Sequence, residues 1–393
     1  MSRGICTHAS AFRYLPGRDY AAHDCATADF DYDLPDERIA QEPLSIRDSC
    51  RLLVLDRESG DIEHRVFRDI IDYLDEGDLL VVNETRVLPA RLTAHKPTGG
   101  KVEVLLLDEC ADEGEPGRSS RSGCSGRWNC LVKPGRSAQV GQRLEFVDPS
   151  SDSARGGACV MTGEVVAVRA GGVRVIELAL TPESDRSIYE VIRAIGQVPL
   201  PPYITHELDD AELYQTVYAD DEHSAAAPTA GLHFTPELLA RIEAKGVRIA
   251  KVRLDVGLDT FRPVTVDNPC EHHIHTEYIY VGEETASFVN ETRAHGGRIV
   301  AVGTTTTRAL ETAYRAGRLL PLKSYAGTSG LFIVPGYEFG IVDALITNFH
   351  VPRSTLMMMV SAFASRETVM RAYDEALAHE YRFLSFGDAM LIR

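Results

Sequence analysis

A run of short β-strands without helical periodicity, residues 91–181, constrains the fold more than any other feature, because alternating strands and helices lie on both sides of it. Strands are predicted at 101–107, 128–132, 144–146, 159–168 and 173–180. Such a series of short strands is typical of a small barrel or sandwich. Because the block interrupts an α/β chain, its simplest interpretation is an inserted small β-barrel domain whose two ends lie close together.

The flanking segments, residues 29–90 and 182–393, predict the two parts of a mixed α/β main domain. In the first part, two hydrophobic runs between Leu52 and Phe67 flank a turn and predict a hairpin. In the second part, helical and strand patterns alternate, which favours parallel pairing of the strands. Residues 1–28 are polar and aperiodic, and we expect them to form a flexible N-terminal extension.

The composition excludes several classes of protein. A formal net charge of −17 argues against a nonspecific nucleic-acid coat, since such binding depends on neutralising phosphates with Lys and Arg. The eight cysteines form no C-x-x-C pair, as expected for reduced thiols rather than a zinc site. No stretch resembles a signal peptide or a membrane span. We therefore expect a cytoplasmic protein without membrane association, and we expect it to be a monomer.

Residues 224–237 combine small residues, a hydroxyl group, a histidine and a helix start, as expected of a substrate loop. The alanines and Gly231 would let backbone N–H groups approach a ligand closely. Thr235 is a predicted N-cap, and Pro236 suits the first helical position. The alternative is an ordinary strand-to-helix connection in which His233 is structural, and motif chemistry alone leaves both interpretations open.

Polar residues crowd the ends of further predicted strands, where α/β proteins commonly keep ligand contacts. They follow at 83–86, 303–307 and 348–354. In the second group, a glycine and four threonines form a predicted turn into a helix over 308–316, and their N–H and O–H donors suit an anion or a ribose. Ser354 is predicted to cap a buried helix. Simple capping is the alternative interpretation at these places.

The segment Cys270–Glu277 holds the densest run of titratable groups in the chain. On an extended segment His273 and His275 would face the same side, yet ligand spacing of the H-E-x-x-H type is absent. A carboxylate beside imidazoles suits proton transfer near neutral pH, so an acid/base role is the more attractive interpretation. A surface strand and a metal site stay open. A metal-dependent hydrolase using His272, His273 and His275 would carry stoichiometric zinc or manganese after purification.

Several long motifs follow one another along the chain: Phe30–Pro35, Arg47–Ser49, Asn83–Arg91, Ala226–Thr235, Val302–Thr305 and Ala344–His350. With these motifs, residues 29–392 resemble the S-adenosylmethionine:tRNA ribosyltransferase-isomerase family of queuosine biosynthesis. The resemblance implies an α/β main domain with an inserted β-barrel, which the strand pattern predicts independently.

The resemblance also implies the reaction. The ribosyl part of S-adenosylmethionine would pass to the aminomethyl group of 7-aminomethyl-7-deazaguanine at the tRNA wobble position and isomerise, giving epoxyqueuosine, adenine and methionine. S-adenosylmethionine is then a substrate, and no metal or redox cofactor is needed. A base must remove a proton from the carbon beside the sulfonium, and an acid must assist the departure of adenine. From this chemistry and motif position, the predicted catalytic residues are His233, Glu271 and His275.

Two further groups of residues are assigned to the substrates. The residues predicted to hold S-adenosylmethionine or the deazaguanine are Thr229, Gly231, Thr304, Thr305, Asn348 and His350. The residues predicted to contact the backbone of the tRNA anticodon loop are Arg86, Arg91 and Arg353, with the barrel as a second surface. An anticodon loop presents unpaired bases, which lowers the cost of unstacking. A non-catalytic tRNA-binding module, which would not consume S-adenosylmethionine, is the alternative from another class.

Four positions depart from the family pattern. Asp255 stands where histidine is usual, Asp259 and His223 stand where glycine is usual, and Gly330 replaces an acidic residue. These changes remove or add titratable groups close to the motifs. A relative that uses S-adenosylmethionine with another acceptor is therefore a further alternative.

Overall fold

Hydrophobic strands buried along their whole length form the centre of the larger structural unit, as expected for a sheet covered by helices. The structure is a computed structural model that describes residues 25–110, 124–148, 158–182, 185–257, 263–317 and 320–393. Within these residues the strands are β1 (Arg51–Leu55), β2 (Ile62–Val66), β3 (Leu79–Asn83), β4 (Thr85–Val87), β5 (Arg91–His95), β6 (Lys101–Glu109), β7 (Ser125–Lys133), β8 (Arg143–Asp148), β9 (Ala158–Val168), β10 (Arg174–Leu180), β11 (Asp221–Ser224), β12 (Arg248–Leu254), β13 (Glu277–Val281), β14 (Ile299–Val302), β15 (Tyr325–Ser329), β16 (Ala344–Asn348) and β17 (Ala389–Ile392). The α-helices are α1 (Ile188–Ile195), α2 (Pro236–Ala244), α3 (Glu283–Ala294), α4 (Thr304–Ala316), α5 (Thr355–Ala364) and α6 (Arg366–Ala378).

The main sheet is mixed, and its central strands are parallel. Among the described residues, nine strands pair in the order β15-β13-β12-β3-β14-β16-β17-β1-β2. Strand β3 is parallel to both neighbours, β12 and β14, and β14 is parallel to β16. The predicted parallel pairing and the predicted hairpin of β1 and β2 are therefore confirmed. The carboxyl ends of β3, β14 and β16 consequently meet at one edge of the sheet, where open α/β sheets bind ligands.

The predicted barrel is present as a closed sheet of strands β5 to β10, in the order β10-β7-β6-β5-β8-β9, with antiparallel neighbours. Side chains fill its interior, as in other small barrels. A Cβ atom at Gly163 would lie within 3.2 Å of Phe146, Ile176 and Leu178, so this interior position has no room for a larger residue. The predicted fold, a mixed α/β domain with an inserted small β-barrel, is confirmed.

The described residues divide into two units. The first takes its residues from 1–86, 201–221 and 227–393, and the second from 87–200 and 222–226. Helix α1 belongs to the second unit, where the ring of Tyr189 packs against Trp128 with 5.7 Å between centroids. The sequence pattern groups this helix with the main domain instead. The contact between Tyr189 and Trp128 joins residues far apart in the chain, so a local pattern does not indicate it.

Thr27, near the start of the described residues, makes buried contacts with the rest of the protein. Its side chain is fully buried, its N–H group donates to Asp267 O at 2.8 Å, and its hydroxyl donates to Val266 O at 2.6 Å. Residues 25–28 are the described part of the predicted extension, and they pack on the first unit. Residues 1–24 lie outside the described residues.

Capping rules locate two helix starts correctly and one incorrectly. Thr235 Oγ1 accepts the N–H of Leu238 at 3.2 Å, and Ser354 Oγ accepts the N–H of Met357 at 3.2 Å, as predicted. Helix α4 begins at Thr304 rather than at the predicted residue 308. Gly303, with a φ of 91°, turns the chain directly after β14, and the threonines form the first helical turn. Among the described residues, no helix is long and apolar enough to cross a membrane.

Candidate functional site

A cavity lies at the sheet edge where β14 and β16 end, and we call it the first cavity. It holds about 570 Å³ of space free of protein atoms. Its walls come from the loop before α2, from the start of α4 and from the segment after β16. The predicted substrate residues on these walls are Thr229, Thr304, Thr305, Asn348 and His350. The fold therefore brings residues from three distant segments to one place.

The threonines at the start of α4 form two pairs that differ in what their hydroxyl groups bond. Thr306 Oγ1 donates to Val302 O at 2.6 Å, and Thr307 Oγ1 donates to Gly303 O at 3.2 Å. The hydroxyl groups of Thr306 and Thr307 thus have their hydrogen bonds within the helix start. Thr304 and Thr305 lie on the cavity wall, where Thr305 Oγ1 accepts a hydrogen bond of 3.4 Å from Asn83 Nδ2. The first pair is thus the one placed to offer hydroxyl groups to a ligand.

His233 lies behind the first cavity, and it is not among the described residues of its wall. Its Nε2 atom is 3.1 Å from Asn348 Nδ2, and its Nδ1 atom is 3.2 Å from Cys50 Sγ. An amide NH₂ group only donates, so Nε2 is the accepting nitrogen and Nδ1 carries the proton. Burial, reinforced by Arg382 and Arg47, lowers the pKa of His233 to about 3. A neutral, buried imidazole of this kind supports Asn348.

Asn348 connects the end of β16 with the substrate loop. Its Nδ2 atom also donates to Leu384 O at 3.1 Å, and its Oδ1 atom accepts the hydroxyl of Thr229 at 3.4 Å. These partners fix the amide with its oxygen toward Thr229. The His350 ring is held in a similar way, because its Nε2 atom lies 2.8 Å from Thr347 Oγ1. Burial lowers the pKa of His350 to about 3. Both side chains are therefore uncharged, preorganised parts of the wall.

A second cavity of about 390 Å³ adjoins the start of α4. Thr304, Thr305 and Leu356 line both cavities, so the two share one wall. The apolar residues of the second cavity include Ile274, Leu331, Phe332, Ile333 and Met359. Its charged and titratable residues are His275, Glu277 and Arg308. A mostly apolar space with a few convergent polar groups is typical of a small-molecule site.

The polar corner of the second cavity is a hydrogen-bonded cluster. His275 Nε2 lies 2.9 Å from Glu277 Oε1, and Arg308 Nη1 donates to Glu277 Oε2. The side chain of Glu277 is 3% exposed. Burial alone would raise its pKa, but the opposing effects of Arg308, the His275 hydrogen bond and the Gly257 N–H lower the pKa overall. Glu277 is therefore an ionised carboxylate inside the protein.

The other predicted members of the histidine-rich segment lie elsewhere. Glu271 ends a 3₁₀ turn and is exposed, and it is not among the described residues of either cavity wall. His273 is exposed too, whereas His272 packs against the ring of Phe332 with 5.6 Å between centroids. The structure therefore brings His275, but not Glu271, to a cavity.

Side chains spaced closely enough to hold a metal ion lie outside the segment Cys270–Glu277. Among the described residues, the one group of three suitable side chains is His64, Glu375 and His379. His379 Nδ1 lies 3.0 Å from Glu375 O, the bond expected of a histidine that caps the carboxyl end of a helix. None of these residues belongs to the described cavity walls.

The three predicted tRNA-contacting arginines differ in their partners. Arg86 donates to Glu212, and Arg91 Nη1 lies 3.1 Å from Glu103 Oε1. Among the described residues, Arg353 takes part in no ion pair. Its backbone has a φ of 56°, and its N–H group donates to Phe30 O at 2.9 Å. Arg353 is thus held in a left-handed turn, and within the described part of the chain no carboxylate pairs with its guanidinium.

Packing explains the glycine at position 231, and the surroundings of Asp255 change the pKa of its carboxyl group. A Cβ atom at Gly231 would lie 2.0 Å from the hydroxyl of Tyr218, so glycine is needed for packing, and Gly231 is not among the described wall residues. Asp255 lies 3.5 Å from Thr85 Oγ1 and 3.6 Å from Arg253 Nε. Burial, with a smaller effect of Glu277, raises the pKa of Asp255 to about 6. Of the other departures from the family pattern, Asp259 lies outside the described residues.

Sequence reasoning missed several wall residues, and the reasons differ. Glu277 and Arg308 belong to separate elements and become a pair only when α4 packs beside β13. Tyr203 and Ser385, whose oxygens lie 2.7 Å apart on the first cavity, stand in irregular segments without a motif. The signal that was available for Glu277 was its spacing from His275, because alternate residues of an extended segment share a face.

The fold and the cavities define an α/β protein with cavities at the carboxyl ends of parallel strands and a β-barrel inserted in its chain. The chain belongs to the family described as queuosine biosynthesis protein, whose pattern matches residues 27–392.

Relatives and a solved structure agree with this membership. The chain is 50% identical over 368 residues to the S-adenosylmethionine:tRNA ribosyltransferase-isomerase of Symbiobacterium thermophilum, covering 93% of this chain and 99% of the relative. It is 49% identical over 365 residues to the enzyme of the same name from Thermotoga petrophila, with the same coverage. It is also similar to the crystal structure of S-adenosylmethionine tRNA ribosyltransferase from Thermotoga maritima, with a TM-score of 0.51 and 39% identity, covering 93% of this chain and 100% of that one.

Proposed function

We propose that this chain transfers the ribosyl part of S-adenosylmethionine to 7-aminomethyl-7-deazaguanine at the tRNA wobble position and isomerises it, giving epoxyqueuosine-tRNA, adenine and methionine. The observation that carries the proposal is 50% identity over 93% of the chain with a relative named for this activity. S-adenosylmethionine is consumed as a substrate, and tRNA is the second substrate. The proposal assigns no metal or redox cofactor to the reaction.

The proposed roles in the first cavity follow from its donors and acceptors. Thr304 and Thr305 supply hydroxyl groups at the start of α4, and Asn348 supplies an amide whose orientation is fixed. Such groups suit the hydroxyl groups of a ribose and the edge of a purine, which need directional hydrogen bonds rather than charge. Neutral His350 adds a further polar group without an ionic one. We assign this cavity to the nucleoside part of S-adenosylmethionine.

The proposed proton transfer is assigned to the second cavity. A base breaks the C–H bond beside the sulfonium, the electron pair stays on that carbon, and the proton passes to the base. His275 is the residue placed for this step, since it lies on a cavity wall beside Thr304 and Thr305. His233 is buried behind Asn348, and we propose that it positions this amide. The proton roles of His233 and Glu271 stay predictions, and alanine variants that keep full turnover would contradict them.

The proposed tRNA contacts rest on local positive charge, because the protein as a whole is acidic. Arg353 is the strongest of the three candidates, since among the described residues it has no carboxylate partner. Arg86 and Arg91 would have to exchange a carboxylate for a phosphate. Selection of an anticodon loop by shape fits an acidic protein better than general phosphate binding does. That the protein acts as a cytoplasmic monomer stays a prediction.

The experiment that tests the function measures adenine release from S-adenosylmethionine by the purified protein. Release with tRNA that carries 7-aminomethyl-7-deazaguanine, and none with the same tRNA carrying guanine, is the expected result. A folded protein that releases no adenine with the modified tRNA would contradict the proposal. Release with neither tRNA but with another acceptor would favour the divergent relative instead.

A further inference from the structure

The carboxylate of Glu277 has no catalytic assignment, yet it contacts the histidine to which we assign the proton transfer. We propose that Glu277 is a positioning residue that holds His275 as the Nε2–H tautomer, so that Nδ1 is the atom that accepts the proton. This inference rests on the proposed function.

The tautomer follows from counting donors around Glu277. Its Oε1 atom lies 2.8 Å from the N–H of Gly257 and 2.9 Å from His275 Nε2, and its Oε2 atom accepts from Arg308. An ionised carboxylate can only accept hydrogen bonds. His275 Nε2 must therefore carry the hydrogen of that contact. The neutral ring then has its lone pair on Nδ1.

Arg308 makes the position of the carboxylate rigid. Its Nη2 atom donates to His275 O and to Ser329 O, each at 3.0 Å, while its Nη1 atom donates to Glu277. The arginine is 5% exposed, so this pair is shielded from water and salt. The same guanidinium thus binds the backbone of His275 and the carboxylate that orients its ring.

Gly257 limits the movement of the ring from another direction. Its N–H group donates to Glu277, and a Cβ atom at this residue would lie 3.3 Å from Cδ2 and 3.4 Å from Nε2 of His275. The backbone of Gly257 is therefore packed against the Nε2 side of the imidazole. The Nδ1 side is the opposite edge of the ring.

The arrangement suits a base whose charge changes during the reaction. When Nδ1 takes the proton from the carbon beside the sulfonium, the ring becomes an imidazolium. Its Nε2–H bond to a carboxylate then becomes charge-assisted on both sides, which strengthens it at the step where the charge appears. The same logic orients histidines in hydrolases that pair them with a buried carboxylate.

The test compares two readouts in Glu277→Gln. Arg308 is a charged donor, so we expect the amide oxygen of the glutamine to turn toward it. The NH₂ group then takes the place of Oε1, loses the bond from the Gly257 N–H and faces His275. We expect ¹⁵N-histidine NMR to show the Nε2–H tautomer of His275 in the wild type and the Nδ1–H tautomer in the variant. The resonance is assigned by its loss in His275→Gln. We expect kcat to fall by about 10²- to 10⁴-fold, the range for loss of a general base or its orientation.

Coupling and a matched control separate positioning from a merely structural effect. In the His275→Gln background, Glu277→Gln is expected to lower kcat by less than about threefold more, because both changes disable one unit. Glu311 is a buried carboxylate on the same helix as Arg308, and it accepts the hydroxyl of Tyr337 and the N–H of Ile341. Glu311→Gln should lower Tm while keeping the tautomer of His275 and its kcat within about threefold.

An Nδ1–H tautomer in the wild type would overturn the inference, and this measurement does not require Glu277→Gln to fold, only the assignment variant His275→Gln. An equal loss of kcat on adding Glu277→Gln to wild type and to His275→Gln would overturn it as well. A protein that shows the expected tautomer but releases no adenine would instead contradict the proposed function, so the two failures are distinguishable.

Discussion

Asn348 Nδ2 lies 3.1 Å from Nε2 of His233, and the side chain of Asn348 is also part of the wall of the first cavity. The motif histidine therefore acts on the cavity through an asparagine rather than by its own contact. Because the ring is fully buried and neutral, its removal would affect both the packing behind the cavity and the orientation of the amide.

Because His233 and His350 are buried and neutral, we expect the protein to lose stability in mild acid. The pKa values of His233 and His350 are lowered from 6.5 to about 3, so the unfolded chain binds more protons between these values. The free energy of unfolding should therefore fall as pH drops below 6.5, by about 1.4 kcal/mol per pH unit for each histidine, until pH 3. Urea unfolding between pH 7 and pH 5 measures this slope. His233→Gln should reduce it, and the exposed His295→Gln should not; an unchanged slope in His233→Gln would contradict the prediction.

Thr304 and Thr306 provide a matched pair for the ligand role of the hydroxyl groups. Thr304→Val removes a hydroxyl from the cavity wall, and we expect the KM for S-adenosylmethionine to rise about 5- to 10-fold, the value of one hydrogen bond. Thr306→Val removes a hydroxyl that is bonded to Val302 O, so it should leave KM unchanged and lower Tm slightly. Steady-state kinetics with saturating modified tRNA measures both. Equal effects on KM would show that the cavity wall is wrongly assigned.

Ionisation of Asp255 should destabilise the folded state as pH rises, a contribution opposite in sign to that of the two histidines and smaller than it. Its folded pKa is raised from 3.8 to about 6, mainly by burial, so the folded state binds more protons than the unfolded state between these values. Asp255→Asn should therefore stabilise the protein at pH 8 by about 1–3 kcal/mol, and roughly half of this gain should remain at pH 5. Denaturant titrations at both pH values test it, with the exposed Asp209→Asn as control. A gain that does not depend on pH would point to packing rather than charge.

We expect Arg353 to account for part of the salt dependence of tRNA binding. Its left-handed backbone favours asparagine over alanine as a replacement, so Arg353→Asn removes the charge with little strain. We expect the Kd for tRNA to rise about 5- to 10-fold and the slope of log Kd against log salt to change by about one. Filter binding across several salt concentrations gives both numbers. Arg366→Asn is the control, since Arg366 already pairs with Asp29 and Glu367; a smaller change for Arg353→Asn than for the control would refute this contact.

Local rules predicted the parts of the fold that depend on neighbours in the chain. The caps at Thr235 and Ser354, the hairpin of β1 and β2 and the barrel strands all follow from residues within a few positions of one another. The start of α4 was misplaced because threonine has a low helix propensity, whereas here Thr306 and Thr307 bond their hydroxyl groups to carbonyls of the preceding turn.

The candidate site was predictable only in its strand-end motifs. Thr304, Thr305, Asn348 and His350 were found because parallel strands deliver their carboxyl ends to one edge. For Glu277 the sequence offered only its spacing from His275, and its pairing with Arg308 could not be predicted because Arg308 comes from a helix packed beside the strand. In the folded protein the buried Glu277 contacts His275, whereas Glu271 is exposed.

The shared wall of the two cavities has a consequence for inhibitor design. Since Thr304, Thr305 and Leu356 line both spaces, two fragments bound in the two spaces would both contact these three residues. Linking two fragments in this way replaces two separate losses of translational freedom by one. Fragment pairs selected against the two spaces should therefore gain affinity when they are joined beside these shared residues.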